Sequence, residues 1–313
     1  MEQGERSGGD GAARFTHEVV FYDGAAARPA ALLPFIRGGV AAGEPVLVAL
    51  PGAAIPGVRD GVGGSAGVEF VDITEFGGNP ARIIPVWRRF VDEHAGEGAV
   101  RGIGEPAWVG RREVEMTEAS LHEALLNVAF DDGPAWRLLC PYDSARLPGW
   151  VIDEARRTHP LDHAGASHSG YAGHDYAHAA FGSRLAPAPG TAQRFVYGIG
   201  ELAEVRDLVQ AVGAGMGVAE AAVDDLVLAV HELATNSVRH AGGKGVLLLW
   251  SEPDALVVEI RDAGRIADPM VGRAEPPFDA QGGRGIWMVN QLSDLVQIRS
   301  DETGTQVRLY TWL

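Results

Sequence analysis

Strand-like apolar runs alternate with helical patterns from about residue 16 to residue 160, and this alternation restricts the amino-terminal half to few architectures. The runs fall at residues 19–22, 45–50, 68–73, 100–104 and 136–140, with helical patterns at 28–42, 80–94 and 113–129 between them. In the last helix Leu121, Leu125 and Val128 recur at helical spacing. Strands separated by helices of this length predict a doubly wound, mainly parallel sheet over residues 16–160. The alternation then gives way, over residues 161–190, to His, Gly, Ala, Ser and Pro, the composition of a linker. Residues 191–313 follow another grammar: helices at 199–212 and 219–241, strands at 246–250 and 256–261, a Gly/Pro-rich loop, a helix at 286–295, and strands at 296–300 and 305–312. Val223, Leu226, Val227, Val230, Leu233 and Ala234 form the buried stripe of the long helix. Helices grouped against consecutive strands predict an α/β sandwich with a mixed sheet. Residues 1–15, polar and Gly-rich, are expected to be disordered.

A length of 313 residues suits two domains. The net charge of −16 and the lack of a dense Lys/Arg block argue against direct nucleic-acid binding. No apolar stretch approaches the ~20 residues of a membrane span, and the first residues lack the apolar core of a signal peptide. The expectation is a cytoplasmic protein with no membrane partner. The single cysteine, Cys140, excludes an internal disulfide and any multi-cysteine metal cage; its apolar neighbours Leu138 and Leu139 point to a buried structural thiol. His159, His163, His168, His174 and His178 crowd one segment, but their irregular spacing fits a linker better than a metal site.

Chemistry-bearing residues gather in the third region. Glu232 and Asn236 stand one helical turn apart beside the apolar stripe, where a polar residue needs a reason to be. A carboxylate there can polarise a hydroxyl or water, and an amide oxygen can ligate Mg²⁺. Asp262 and Gly264 follow the strand at 256–261: the carboxylate can accept from an exocyclic amine, and the glycine lets a flat ring approach the backbone. Gln281, Gly282, Gly283, Arg284 and Gly285 lead into a helix whose N–H groups can receive phosphates. Gly304 and Thr305 open the last strand. Neither a zincin nor a P-loop fits, because Thr235 stands where the second histidine would be and Lys244 lacks the flanking pattern.

In this order and at these separations the four elements resemble the nucleotide-binding fold shared by gyrase, heat-shock chaperone, histidine kinase and mismatch-repair ATPases, and most closely its anti-sigma-factor serine kinase branch. The resemblance spans about residues 194–313. It implies ATP and Mg²⁺ as cofactors, Glu232 as general base, Asn236 as the Mg²⁺ ligand, Asp262 as the adenine acceptor with Gly264 shaping its pocket, and Thr305 supporting the adenine side. It further implies that Gly282, Gly283 and Gly285 face the phosphates, that Arg239, His240 and Arg284 lie near the nucleotide, and that residues 265–281 form a lid. One departure stands out. Sporulation kinases of this branch carry Arg-Ser-Gly-x-Gly at the lid's end, whereas here Arg284 is displaced by three positions. Nucleotide binding is thus implied more directly than phosphoryl transfer.

The amino-terminal half carries stretches around His17 to Tyr22, Phe35 to Glu44, Gly104 to Trp108, Leu121 to Asn127 and Cys140 to Asp143. These resemble the MEDS sensory domain, over about residues 16–160. The resemblance implies a RecA-like fold that has lost its phosphate loop and a small-molecule signal bound there. Glu105, Trp108, His122, Glu123, Tyr142 and Asp143 lie near predicted strand ends, where open α/β sheets bind ligands. The plainer alternatives are a solvated helix face for His122 and Glu123, a core position for Trp108, and a solvated helix start for Arg111, Arg112 and Glu113. Together the two resemblances imply a signalling regulator: a sensory domain controlling an ATP-dependent serine/threonine kinase that acts on an antagonist protein, in contact with a sigma factor and paired as a homodimer. The alternatives are a non-catalytic, ligand- or ATP-controlled switch that sequesters a sigma factor or other protein, and a simple ATP hydrolase.

Overall fold

The computed structural model describes residues 15–63, 67–96, 98–277 and 283–313. The reading of residues 1–15 as disordered falls, but for Phe15, outside the described residues, as do Gln281 and Gly282.

The chain runs β1 (Thr16–Tyr22), α1 (Arg28–Ala42), β2 (Val46–Leu50), α2 (Ile55–Val62), β3 (Val68–Asp72), α3 (Ile73–Phe76), α4 (Ile83–Glu93), β4 (Val100–Gly104), α5 (Glu113–Ala129), β5 (Trp136–Asp143), α6 (Gly149–Thr158), β6 (Leu161–Asp162) and α7 (Gly173–Gly182). It continues through β7 (Gln193–Tyr197), α8 (Leu202–Gly215), α9 (Glu220–His240), β8 (Gly245–Glu252), β9 (Ala255–Asp262), α10 (Arg284–Leu292), β10 (Leu295–Asp301) and β11 (Gly304–Trp312).

The first six strands form one sheet in the order β3-β2-β4-β5-β1-β6, parallel throughout. Parallel strands need covering on both faces, and every residue of β2 is buried. On one face α4, α5, α6 and α7 pack around Trp87, Leu125 and Trp136; on the other α1 and α2 pack through Leu32, Ile36 and Val58. Gly102 and Gly104 exist for that packing, since a Cβ at either would lie 2.8 Å from the Trp87 indole.

The second sheet has the order β10-β11-β9-β8-β7 and is antiparallel throughout, where a mixed sheet was expected. Hairpins join β8 to β9 and β10 to β11, and β11 returns to pair with β9, so that β10 lies at the edge. α8, α9 and α10 cover one face through Val205, Val209, Leu226, Val230, Leu233 and Val289.

Residues 161–190 hold more than a linker. Strand β6 extends the parallel sheet, and α7 sends Ala177 into the amino-terminal core and Phe181 into the carboxy-terminal one. Among the described residues no helix is long and apolar enough to cross a membrane.

Candidate nucleotide site and the junction beside it

A cavity of about 310 Å³ opens between α9, the ends of β9 and β11, and the start of α10. That is the small end of the ~300–1,000 Å³ range of ligand pockets. Its walls are apolar, from Leu233, Ile260, Ile266, Val271, Ile286 and Val307, with Asn236, His240, Asp262, Gly264, Gly283, Gly285 and Thr305 at the rim and floor.

The floor is held by a directed hydrogen-bond chain. Asp262 Oδ2 accepts from Ser237 Oγ at 2.6 Å, and Asp262 Oδ1 accepts from the Gly264 N–H at 2.8 Å. Thr305 Oγ1 donates to the Gly264 carbonyl at 2.8 Å. With its proton so committed, Thr305 accepts from Ser300 Oγ at 2.9 Å, and Ser300 in turn accepts from the Ile266 N–H at 2.8 Å. Each carboxylate oxygen of Asp262 retains a lone pair for a ligand donor. A side chain at Gly264 would meet Ala241 Cβ at 2.9 Å, so only glycine fits this approach of β9 to the end of α9.

Gly283 adopts φ +83°, the left-handed region that favours glycine, and caps the amino terminus of α10. A Cβ at Gly285 would lie 3.1 Å from Asn236 Nδ2 and 3.3 Å from Glu232 Oε2. The first turn of α10, whose N–H groups lie outside the helix's own ladder, is thus set directly over the Glu232–Asn236 face of α9. Glu232 borders the cavity without lining it. Arg239 is exposed and away from the lining, and Arg284 donates to the Pro277 carbonyl at 3.3 Å. Ser237 and Ser300 escape sequence reasoning; the structure brings Ser300 to the site by pairing it with Thr305 in the β10–β11 ladder. The residues present fit a purine nucleotide with a hard cation: apolar walls, a carboxylate in the lining, a helix amino terminus, and an amide beside a second carboxylate.

Residues 270–273, after β9, rest on the amino-terminal half. Met270 packs against the parallel-sheet core. Glu118 of α5 is buried among three partners from the other half: Arg299, Gln297 at 3.1 Å and Arg273 at 3.8 Å. Burial pushes the Arg273 guanidinium down to about 10, which leaves it charged at neutral pH. At the far end of α10, Arg82 donates to the carbonyls of Asn290 (2.7 Å), Gln291 (2.8 Å) and Ser293 (2.6 Å). A cation there satisfies carbonyls that the helix leaves open. Asn79 donates to the Asn290 carbonyl, and Asn290 Nδ2 reaches back to the Gly272 carbonyl at 2.9 Å.

In the amino-terminal half several expectations change. His122 and Glu123 do not form a solvated face; both are buried, and desolvation pushes the His122 imidazole down to about 3. Arg111 is buried too. It donates to the carbonyls of Pro106, Gly77 and Gly78 and stacks 4.0 Å over Trp108, which is half-buried. The physical reason is that α5 and the turn before it are covered on nearly all sides, by the sheet, by α6 and α7, and by the carboxy-terminal half; Glu123 and Asn127 find partners there, whereas among the described residues His122 Nδ1 has none. At the strand ends Glu105 accepts from Tyr22 (2.7 Å) and Arg28 (3.1 Å), and Asp143 from the Gly24 and Ala145 N–H groups. Tyr142 turns inward and donates to Glu123 at 3.2 Å.

Residues 16–160 match the family model of MEDS, the MEthanogen/methylotroph, DcmR Sensory domain, and residues 199–311 match that of the histidine kinase-like ATPase domain. Among solved structures the chain is similar to the crystal structure of the RsbU and RsbW domains of Rv1364c from Mycobacterium tuberculosis, at 20% identity over 39% of this chain and 32% of that one, with a TM-score of 0.29. This chain therefore spans about a third of that neighbour's length. No curated protein matches it.

Proposed function

The chain joins a MEDS domain to a histidine kinase-like ATPase domain, and from that premise we propose a signalling regulator whose sensory half controls ATP binding and phosphoryl transfer to a serine or threonine of an antagonist protein in a sigma-factor circuit. The observation that carries the reading is the cavity in which the Asp262–Gly264–Thr305 floor faces the start of α10 above Glu232 and Asn236. When bound, Mg²⁺-ATP supplies the γ-phosphoryl group, and transfer of such a group is mostly positioning and charge neutralisation. Asp262 would accept from the exocyclic amine, and Asn236 would offer its amide oxygen to the cation. The N–H groups at Gly283 and Gly285 would receive phosphate oxygens. Glu232 Oε2 would take the proton of the acceptor hydroxyl. A cavity of about 570 Å³ among α5, α6 and α7, bordered by Thr117, Trp150, Tyr176 and Arg299, is the seat we assign to a small-molecule signal.

A non-catalytic switch is the second reading. It is favoured by Arg284, which is displaced in sequence and donates to the Pro277 carbonyl.

Titration of the full chain with ATP, with and without Mg²⁺, tests the site. Micromolar binding should be abolished in Asp262→Asn and lose its Mg²⁺ dependence in Asn236→Ala. No binding at millimolar ATP would overturn the site itself. Label transfer from γ-labelled ATP to an antagonist separates the two readings: transfer that persists at the wild-type rate in Glu232→Ala removes the proposed base.

A further inference from the structure

We propose that His17, Glu123, Cys140 and His159 hold one divalent transition-metal ion, zinc by the chemistry of the donors, inside the amino-terminal domain. The four residues come from β1, α5, β5 and the position just after α6, and all are at most 1% exposed. One donor atom from each lies within 4.8 Å of every other. Glu123 Oε2 is 3.0 Å from His17 Nε2, 3.3 Å from His159 Nε2 and 3.5 Å from Cys140 Sγ, and Cys140 Sγ is 3.4 Å from His17 Nε2. Tetrahedral zinc, with bonds of about 2.0–2.3 Å to N, O and S, needs edges of roughly 3.3–3.6 Å between its ligands. Four of the six donor pairs already stand near those edges, and the remaining two lie within 4.8 Å.

The surrounding hydrogen bonds decide where the imidazole protons sit. His159 Nδ1 faces the Ala155 carbonyl at 2.7 Å, which can only accept, so the ring proton sits on Nδ1. Asn127 spends its amide protons on the carbonyls of Glu123 and Thr158, so its Oδ1, 3.1 Å from His17 Nδ1, also accepts. In the neutral tautomers both Nε2 atoms therefore aim bare lone pairs at the same carboxylate oxygen. Among the described residues His159 Nε2 has no hydrogen-bond partner. Protonating both rings would place two cations, with centroids 4.0 Å apart, against one carboxylate in a buried site. A divalent ion removes the conflict: two neutral imidazoles, one carboxylate and one thiolate leave the site with no net charge. Fixing each imidazole through its other nitrogen is the usual outer-shell arrangement of zinc sites, and Tyr142 completes it by donating to Glu123 Oε1. One sulfur, two nitrogens and one oxygen in a tetrahedron select zinc over the hard cations. With four protein ligands the site is closed, so its role is to lock β1, β5, α5 and α6 together and not to activate water.

This inference does not rest on the nucleotide reading. The full chain is stripped with a chelator and titrated with Co²⁺, then with Zn²⁺ in competition. The expected result is saturation at one equivalent, with the strong visible bands of tetrahedral cobalt and a thiolate-to-cobalt charge-transfer band in the near ultraviolet that Cys140→Ser abolishes. Tyr142→Phe removes one outer hydroxyl and keeps the ring; it should weaken zinc binding about tenfold. Should Cys140→Ser fail to fold, the wild-type spectrum and Tyr142→Phe decide alone. Unfolding on chelation with release of one equivalent of zinc also supports the site. Stripped protein that stays folded yet takes up no stoichiometric Co²⁺ or Zn²⁺ at micromolar concentration overturns it, as does a charge-transfer band unchanged in Cys140→Ser.

Discussion

The Asp262 carboxylate at the cavity is held by two donors, and one of them is a single hydroxyl. Ser237 donates to Oδ2 from one turn inside α9, while the backbone of Gly264 fixes Oδ1. Hydrogen bonds to a charged acceptor contribute about 1.5–3 kcal/mol. Ser237→Ala should therefore weaken nucleotide binding about tenfold while far-ultraviolet circular dichroism stays unchanged, because methyl and hydroxyl differ little in volume. Wild-type affinity in this variant would mean that the Gly264 N–H alone orients the carboxylate. Asp262, Gly264 and Thr305 were legible because each sits at a strand end with a chemical type that stands out there. Ser237 and Ser300 were not, since a serine beside a motif carries no pattern of its own. The burial of His122, Glu123 and Arg111 was equally hidden: a polar residue on a helix reads as solvated until the elements covering that helix are known.

At the scale of elements, helical and strand periodicity marked most of the chain, and direction was what it could not mark. Apolar runs such as those of β8 to β11 look alike whether the neighbour runs parallel or antiparallel, so the antiparallel sheet came out as mixed. Helix α7 was missed for a different reason. Its sequence offers only Ala177 and Phe181 to bury, too few to draw a stripe through a run of Gly, His and Ala. Those two anchors nonetheless enter different cores, which makes α7 a rivet between the halves. Phe181→Ala leaves a cavity in the carboxy-terminal core, and truncations of this kind cost about 3–5 kcal/mol. Denaturant unfolding should show a loss near the lower figure, because α7 is short and can settle inward. A loss under about 1 kcal/mol, the cost of an ordinary surface change, would mean that the helix is merely laid on the surface.

For the molecule as a whole, the composition break near residue 160 made two halves visible, but nothing local could reveal how they meet. Glu118 and Arg299 are 181 positions apart, and such a pair has no signature in either neighbourhood. Their junction is nevertheless where control of the nucleotide cavity would have to pass. Helix α10 presents its first turn to the cavity and is gripped at its last turn by Arg82; the segment before it supplies Val271 to the cavity wall and Arg273 to Glu118. Helix α5 holds that segment through Glu118 and, little more than one turn further on, enters the four-donor cluster through Glu123. A shift of α5 relative to the parallel sheet would thus be felt at the cavity without any ligand bridging the two. Removing one charge tests this route. Glu118→Gln leaves Arg273 and Arg299 buried without their counter-charge, and breaking a buried pair in this way costs about 3–5 kcal/mol. The segment would loosen, the Val271 wall would lose its preorganisation, and nucleotide affinity should fall at least fivefold, the lower end of coupling energies of about 1–3 kcal/mol. Isothermal titration of ATP into wild type and Glu118→Gln reads this directly. Coupling is reciprocal, so ATP should raise the thermal midpoint of the wild type by more than that of the variant. Affinities equal within twofold would make the junction simple packing, and the signal would then have to reach the cavity through the Arg82 grip on α10 instead.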